Sequence, residues 1–383
     1  MKTKINLSEQ TIDNEELIAL ANWIKTNPKL TKGELTKKFE SEFSGYIDKS
    51  NSVFVNSGSS ANLLMAHVLK ESGRLKNNII IAPSVSWVTT VAPFMQLNYD
   101  VHLCDCNLIN LGLDLNEFEN LCRKLKPSVV ITCNVLGHAN DYDEILSICK
   151  KYDVILIEDN CESLGSTYKN KKLGSIGLMS SHSFYYGHHI STIEGGMVST
   201  NDDELFNLML SIRSHGWNRD MTDEYKKKYS SDDSFRDMYT FYFAGLNIRS
   251  TDLSAFIGLS QIKKIDYFRD IRESNFKKYQ EQLNGFWSQK SNNNSTISSF
   301  AYGTLVKNPS ELYKYLSEDG IDSRPLICGN IARHPFWKSV NTRKYPNSDV
   351  IHNHGIYLPN HSEITHDDIM YISKVVKKYS KAL

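Results

Sequence analysis

Apolar residues fall in two alternating rhythms through the first half of the chain. Short runs rich in β-branched residues, at 52–55, 79–81, 100–104, 128–132, 154–157 and 195–200, predict strands. Between them, apolar positions three and four apart predict helices, most clearly over 61–72 and 142–152. This alternation predicts an α/β fold with a mainly parallel sheet and right-handed crossovers, although the pattern does not encode which strands are neighbours. The rhythm stops between Met221 and Asp237, where Tyr, Ser, Asp and the Lys226-Lys227-Lys228 run predict a long solvated loop. Helical periodicity returns over 250–271, and the remaining third predicts a smaller mixed unit. The expected organisation is a large domain over 1–250 and a small C-terminal domain over 251–383.

Composition narrows the classes of function. Lys plus Arg and Asp plus Glu both number 44, so no basic field is present for nucleic acid. No apolar stretch approaches the ~18 residues of a membrane span, and no secretory leader pattern is visible at the start. Seven cysteines, an odd number without a leader, predict reduced thiols and a cytoplasmic protein. Cys104-Asp105-Cys106 has no second pair at ligand spacing, so no metal site is expected.

Three stretches carry candidate chemistry. Asn56-Ser57-Gly58-Ser59-Ser60-Ala61-Asn62 joins a strand to a helix, where free amides and a glycine make an anion site. Alone, it reads more readily as an ordinary capped turn. The run Ile155-Leu156-Ile157-Glu158-Asp159 puts a carboxylate at the end of a buried strand, the edge where open α/β sheets bind ligands. Trp87 follows another strand end and suits either stacking on a planar group or the core.

The third stretch is Ser183-Phe184-Tyr185-Tyr186-Gly187-His188-His189-Ile190-Ser191-Thr192-Ile193-Glu194-Gly195-Gly196. It resembles the segment of the DegT/DnrJ/EryC1/StrS sugar aminotransferases that reads Ser-Phe, a cofactor lysine, then Glu-Gly-Gly. Gly33 with Phe39-Glu40, the Ser57-Gly58-Ser59 loop, Glu158-Asp159 and Gly245-Leu246-Asn247-Ile248-Arg249 extend the resemblance over essentially the whole chain.

The resemblance implies a pyridoxal-phosphate-dependent transferase fold, aspartate aminotransferase-like, fold type I, with a small C-terminal α+β domain. Pyridoxal or pyridoxamine 5'-phosphate is the implied cofactor. Gly58, Ser59 and Ser183 are implied to hold its phosphate, Trp87 to stack on its ring and Asp159 to pair with its ring nitrogen. Glu162 is implied near the ring oxygen. Asn247, as a cofactor contact, and Arg249, as a substrate contact, are implied to reach the site from a neighbouring subunit, making at least a homodimer. His215, Arg219 and Arg324 are the candidate substrate contacts.

One departure from the family pattern governs the reading. Six residues before Glu194 the lysine position holds His188, and no lysine occurs between Lys172 and Lys226. An imidazole cannot tether the cofactor covalently, but with an ordinary pKa of ~6.5 it is a competent base. This substitution resembles the family's dehydratase branch, which removes the C3 hydroxyl of nucleotide-linked 4-keto-6-deoxy sugars with L-glutamate as amino donor. No cysteine lies between Cys161 and Cys328, so an iron–sulfur reductase partner is not implied, and the resemblance alone favours GDP over CDP. A catalytically inactive cofactor- or sugar-nucleotide-binding scaffold and a 4-aminotransferase are the alternatives.

Overall fold

A computed structural model describes residues 4–291, 294–337 and 343–383. Its largest element is a seven-stranded sheet built from β1 (Asn51–Val55), β2 (Ile79–Pro83), β3 (Asp100–Cys104), β4 (Val129–Cys133), β5 (Ile155–Asp159), β8 (Met179–Ser183) and β9 (Gly196–Thr200). A two-stranded hairpin, β6 (Thr167–Tyr168) with β7 (Lys171–Lys172), lies between β5 and β8 in the chain. The order across the large sheet is β1-β9-β8-β5-β4-β2-β3. Only β9 runs against the others, being antiparallel to both β8 and β1. The C-terminal ends of the other six strands therefore open on one edge, as the mainly parallel expectation requires.

The strands expected from β-branched runs and the helices over 61–72 and 142–152 form within a few residues of those limits. The stretch expected to be a long loop differs. Asp223–Lys228 and Ser234–Asp237 are short helices. Local pairs account for them: Lys226 with Asp223 at 3.5 Å and the Asp233 side chain capping the amides of Phe235 and Arg236. The second sheet is three-stranded, with β12 (Gly355–Pro359) between β10 (Ala301–Leu305) and β11 (Arg324–Pro325). Among the described residues no helix is long and apolar enough to cross a membrane.

Several positions that carried the family resemblance prove to hold the fold together. The carboxylate of Asp252 caps the helix Glu34–Ile47 from outside, accepting from Gly33 N at 2.7 Å, Thr36 N at 2.9 Å and Thr36 Oγ1 at 2.7 Å. A side chain at Gly33 would strike it, since an added Cβ would lie 2.6 Å from Asp252 Oδ2. Phe39 sits against Gly258 and packs edge-on to Phe54, ring centroids 5.0 Å apart. Glu40 accepts the Phe54 amide at 2.8 Å and the fully buried Arg213 at 2.5 Å, so this charge pair is also a hydrogen-bonded clamp on β1.

Glu158, beside Asp159, is equally structural. It takes hydrogen bonds from the Tyr142 hydroxyl and the amides of Gly174, Ile176 and Gly177. That set fixes the turn leading into β8 and leaves the neighbouring carboxylate to face the open edge.

Asp252→Ala removes a charged acceptor shared by several donors and should cost about 2 kcal/mol. Urea unfolding checks this; a loss below about 0.5 kcal/mol would show that the cap carries nothing.

Candidate functional site

The open edge of the large sheet surrounds a cavity of about 480 Å³. Strand ends deliver its lining in order. β1 leads to Ser57, Gly58 and Ser59; β2 leads to Trp87 and Thr90; β4 ends at Cys133. β5 supplies Asp159, Cys161 and Glu162, and β8 leads from Ser183 to His188. Phe300, Arg324 and Tyr357 close the opposite side from the small sheet and the segment before it.

The helix Gly58–Glu71 starts at the cavity wall, with Ser57 as its cap accepting from Ser60 N at 3.1 Å. Its first amides and dipole therefore face the cavity. A Cβ at Gly58 would lie 2.5 Å from Ser183 Cβ and 2.9 Å from the Cys161 sulfur. Only glycine leaves this corner open, beside the Ser183 hydroxyl. The corner fits a phosphate-sized anion.

Asp159 is buried, 3% exposed. Its Oδ2 accepts from Asn62 at 2.8 Å and Thr90 at 2.7 Å, and its Oδ1 accepts from the Cys161 amide at 3.1 Å. All these donors are neutral, so the carboxylate is held in place without being neutralised. Such a group suits a cationic partner brought in by a ligand. Trp87 is 45% exposed at the mouth and presents an uncovered ring.

His188 is partly buried in the wall. Its Nδ1 lies 2.8 Å from the Cys161 carbonyl, and a carbonyl only accepts, so Nδ1 carries the proton and Nε2 keeps the lone pair. Phe300 stacks on the ring at 5.0 Å with planes 27° apart, and Tyr185 meets it edge-on at 6.0 Å. Burial lowers its pKa to about 4, opposed by the bond to Cys161 and aided by the charge of Arg324. It is a neutral base at pH 7. His189 points elsewhere, with Nε2 on the Ser298 carbonyl at 2.7 Å, and is structural.

Glu162 is pushed up to about 7 by burial, against the pull of the Leu136 amide and the Arg324 charge. It is therefore partly protonated near neutrality. The Leu136 N–H reaches Glu162 Oε2 at 3.1 Å from a left-handed backbone, φ 52°.

The expected residues thus divide. Gly58, Ser59, Trp87, Asp159, Glu162, Ser183, His188 and Arg324 line one cavity. Asn247, His215, Arg219 and Arg249 do not. They gather around Trp217: the His215 ring at 5.1 Å, Arg219 at 4.2 Å and Arg249 at 5.9 Å, with Arg249 Nε bonded to Asn247 Oδ1. Sequence reasoning missed Asn62, Thr90, Phe300 and Tyr357. Asn62 lies one helical turn beyond Gly58 and Thr90 lies three residues beyond Trp87, so local spacing held a signal for both. Nothing local marked Phe300 or Tyr357.

The DegT/DnrJ/EryC1/StrS aminotransferase family model matches residues 10–377. GDP-4-keto-6-deoxy-D-mannose 3-dehydratase of Escherichia coli O55:H7 (strain CB9615 / EPEC) is 32% identical over 390 residues, 97% of this chain and 99% of that protein. Among solved structures, E coli GDP-4-keto-6-deoxy-D-mannose-3-dehydratase with bound hydrated PLP is similar at a TM-score of 0.90 and 31% identity, covering 98% and 99% of the two chains. GDP-4-keto-6-deoxymannose-3-dehydratase with a trapped PLP-glutamate geminal diamine matches at 0.87 and 30% identity, over 97% and 99%.

The histidine geometry has a measurable signature. Nitrogen-15 NMR should find His188 as the Nδ1–H tautomer and His189 as Nε2–H; the reverse for His188 would remove its free Nε2 lone pair. Burial lowers His138 and His182 to about 3 and His188 to about 4. Between these values and about 6.5 the unfolded chain holds protons that the folded chain does not. Stability is therefore full above about pH 6.5 and falls as pH drops through that window. A urea midpoint that stays flat from pH 7.5 to pH 5 would contradict it.

Proposed function

The chain belongs to the DegT/DnrJ/EryC1/StrS aminotransferase family, and from that premise we propose that it is a pyridoxal-phosphate- and glutamate-dependent 3-dehydratase of a nucleotide-linked 4-keto-6-deoxy sugar, with GDP as the nucleotide. The observation that carries this reading is His188: an oriented neutral imidazole in the cavity at the position where the family pattern has lysine.

The residues fit the cofactor. The glycine corner at the head of the helix Gly58–Glu71 takes the phosphate, with Ser59 and the Ser183 hydroxyl. Asp159, surrounded by neutral donors, keeps a ring nitrogen protonated. Trp87 would cover the ring face, and Glu162 would lie beside the ring oxygen. With no lysine among the described residues lining the cavity, binding is noncovalent. When bound, the cofactor supplies an amino group and an electron sink.

The chain's own part is to hold and move protons. His188 takes a proton through Nε2 and returns one as the C3 hydroxyl leaves. Its Nδ1 bond to Cys161 O and its stacking on Phe300 hold that nitrogen in place. Replacing C3–OH by C3–H is a two-electron reduction. Oxidation of glutamate to 2-oxoglutarate and ammonia balances it, so no reductase partner is needed.

His215, Arg219 and Arg249, grouped around Trp217 outside the cavity, serve the sugar nucleotide, and Asn247 reaches the cofactor of the neighbouring subunit, in a homodimer or dimer-based tetramer that shares active sites. The cytoplasm is the proposed location and deoxysugar supply for surface polysaccharide the proposed role.

The test is incubation with pyridoxal phosphate, glutamate and a panel of nucleotide-linked 4-keto sugars, with mass analysis for loss of one oxygen and assay of ammonia. His188→Asn should retain cofactor while dehydration falls at least about 100-fold. His188→Lys should acquire a visible absorbance from a covalently held cofactor, which the natural protein lacks. Full turnover in His188→Asn, or a 4-amino sugar as main product, would overturn the assignment.

A further inference from the structure

We propose that Ser8, carried on an N-terminal strap that runs past the cavity, binds the C2 hydroxyl of the sugar and so decides which 4-keto sugars are accepted. This rests on the dehydratase reading and adds a specificity contact to it.

Leu7 and Ser8 line the cavity, although His188 lies far along the chain. The segment that carries them is pinned at both ends. Ile5 N donates to Gly320 O at 2.8 Å and Ile5 O accepts from Asp322 N at 2.9 Å, beyond the helix Pro309–Glu318. Thr11 Oγ1 donates to Gln261 Oε1 at 2.6 Å, and Thr11 O accepts from Gln261 Nε2 at 2.9 Å. The same Oε1 accepts from Ser191 N at 3.2 Å, so the strap and the histidine loop share one anchor. Leu7 packs against the cluster that holds Phe300 and Tyr357. Ser8 meets Gly187, the residue before His188, where an added Cβ would lie 3.2 Å from Ser8 Oγ. The bare backbone at 187 thus lets the strap bring a hydroxyl up to the loop that carries the base. Among the described residues that hydroxyl makes no hydrogen bond.

Substrate chemistry decides what it meets. In a nucleotide-linked 4-keto-6-deoxyhexose, C1 carries the nucleotide, C4 is the ketone, C5 closes the ring and C6 is a methyl. Free hydroxyls remain at C2 and C3, and the C3 hydroxyl is the one that leaves at His188. Ser59 and Ser183 belong to the anion corner, while Asn62 and Thr90 are committed to Asp159. A hydroxyl beside His188 is therefore left for the sugar, and its match is C2, one bond from the carbon on which His188 acts. A site built to bond a substrate hydroxyl discriminates against the analogue that lacks it.

The experiment compares wild type and Ser8→Ala as holoenzymes. Tryptophan fluorescence follows titration with GDP-linked 6-deoxymannose, an unreactive 4-hydroxy sugar nucleotide, with its 2-deoxy counterpart and with GDP. Ser8→Ala should weaken binding of the first about tenfold, the worth of one hydrogen bond, and leave the other two within about twofold. Turnover of the 4-keto sugar should fall in kcat/KM by a similar factor. Conversion of the bound cofactor by glutamate, read by absorbance without any sugar, should be unchanged. A Ser8→Ala loss as large for the 2-deoxy sugar as for the parent, or no loss for either, would overturn the proposal, because a merely structural serine does not sense C2. If wild type dehydrates no sugar, the dehydratase reading fails while the binding comparison still judges Ser8; if it binds none of the three ligands, both fail.

Discussion

The site is organised around a negative charge that the protein buries and does not neutralise. Asp159 is fixed by Asn62, Thr90 and a backbone amide, every one of them uncharged. A carboxylate in that setting is tolerated because neutral donors hold it, and it stays poised for an incoming cation. The demand propagates outward. Asn62 must lie one turn into a helix whose first residue is Gly58, and its own oxygen is held by Ser181 of β8 at 2.6 Å. The strand that ends at Ser183 is thereby placed beside the helix start. One carboxylate thus ties together β5, β8 and the helix that frames the anion corner.

The sequence made much of this legible because the relevant signals were local. Strand ends show as β-branched runs stopped by small or polar residues, and Gly58 and Asp159 sit at such stops, whereas Ser183 ends a strand, Met179–Ser183, that has no β-branched residue and gave no such signal. The displaced lysine was readable by counting back from Glu194. Parallel topology followed from alternation alone. The order of the strands, and the reversal of β9, did not, because pairing depends on contacts distant in sequence.

What stayed hidden was set by tertiary structure. Phe300 and Tyr357 meet the cavity because the small sheet folds against it, and no spacing rule links them to His188. The charged stretch after Met221 carries capping and ion-pair chemistry, yet its composition reads as loop; Asp233 and Asp223 tip it into short helices. Glu40 and Gly33 came to attention through resemblance and turned out to serve the fold. Gly33 gives Asp252 room, and Glu40 clamps Arg213 to β1.

The stacking of Phe300 on His188 joins two parts of the chain more than a hundred residues apart. An imidazole resting face-to-face on a neighbour has little freedom to swivel, so its aim is inherited from wherever that neighbour is carried. Phe300 stands immediately before β10. Any tilt of the three-stranded sheet would thus be felt first as a misdirected lone pair, well before it loosened the core.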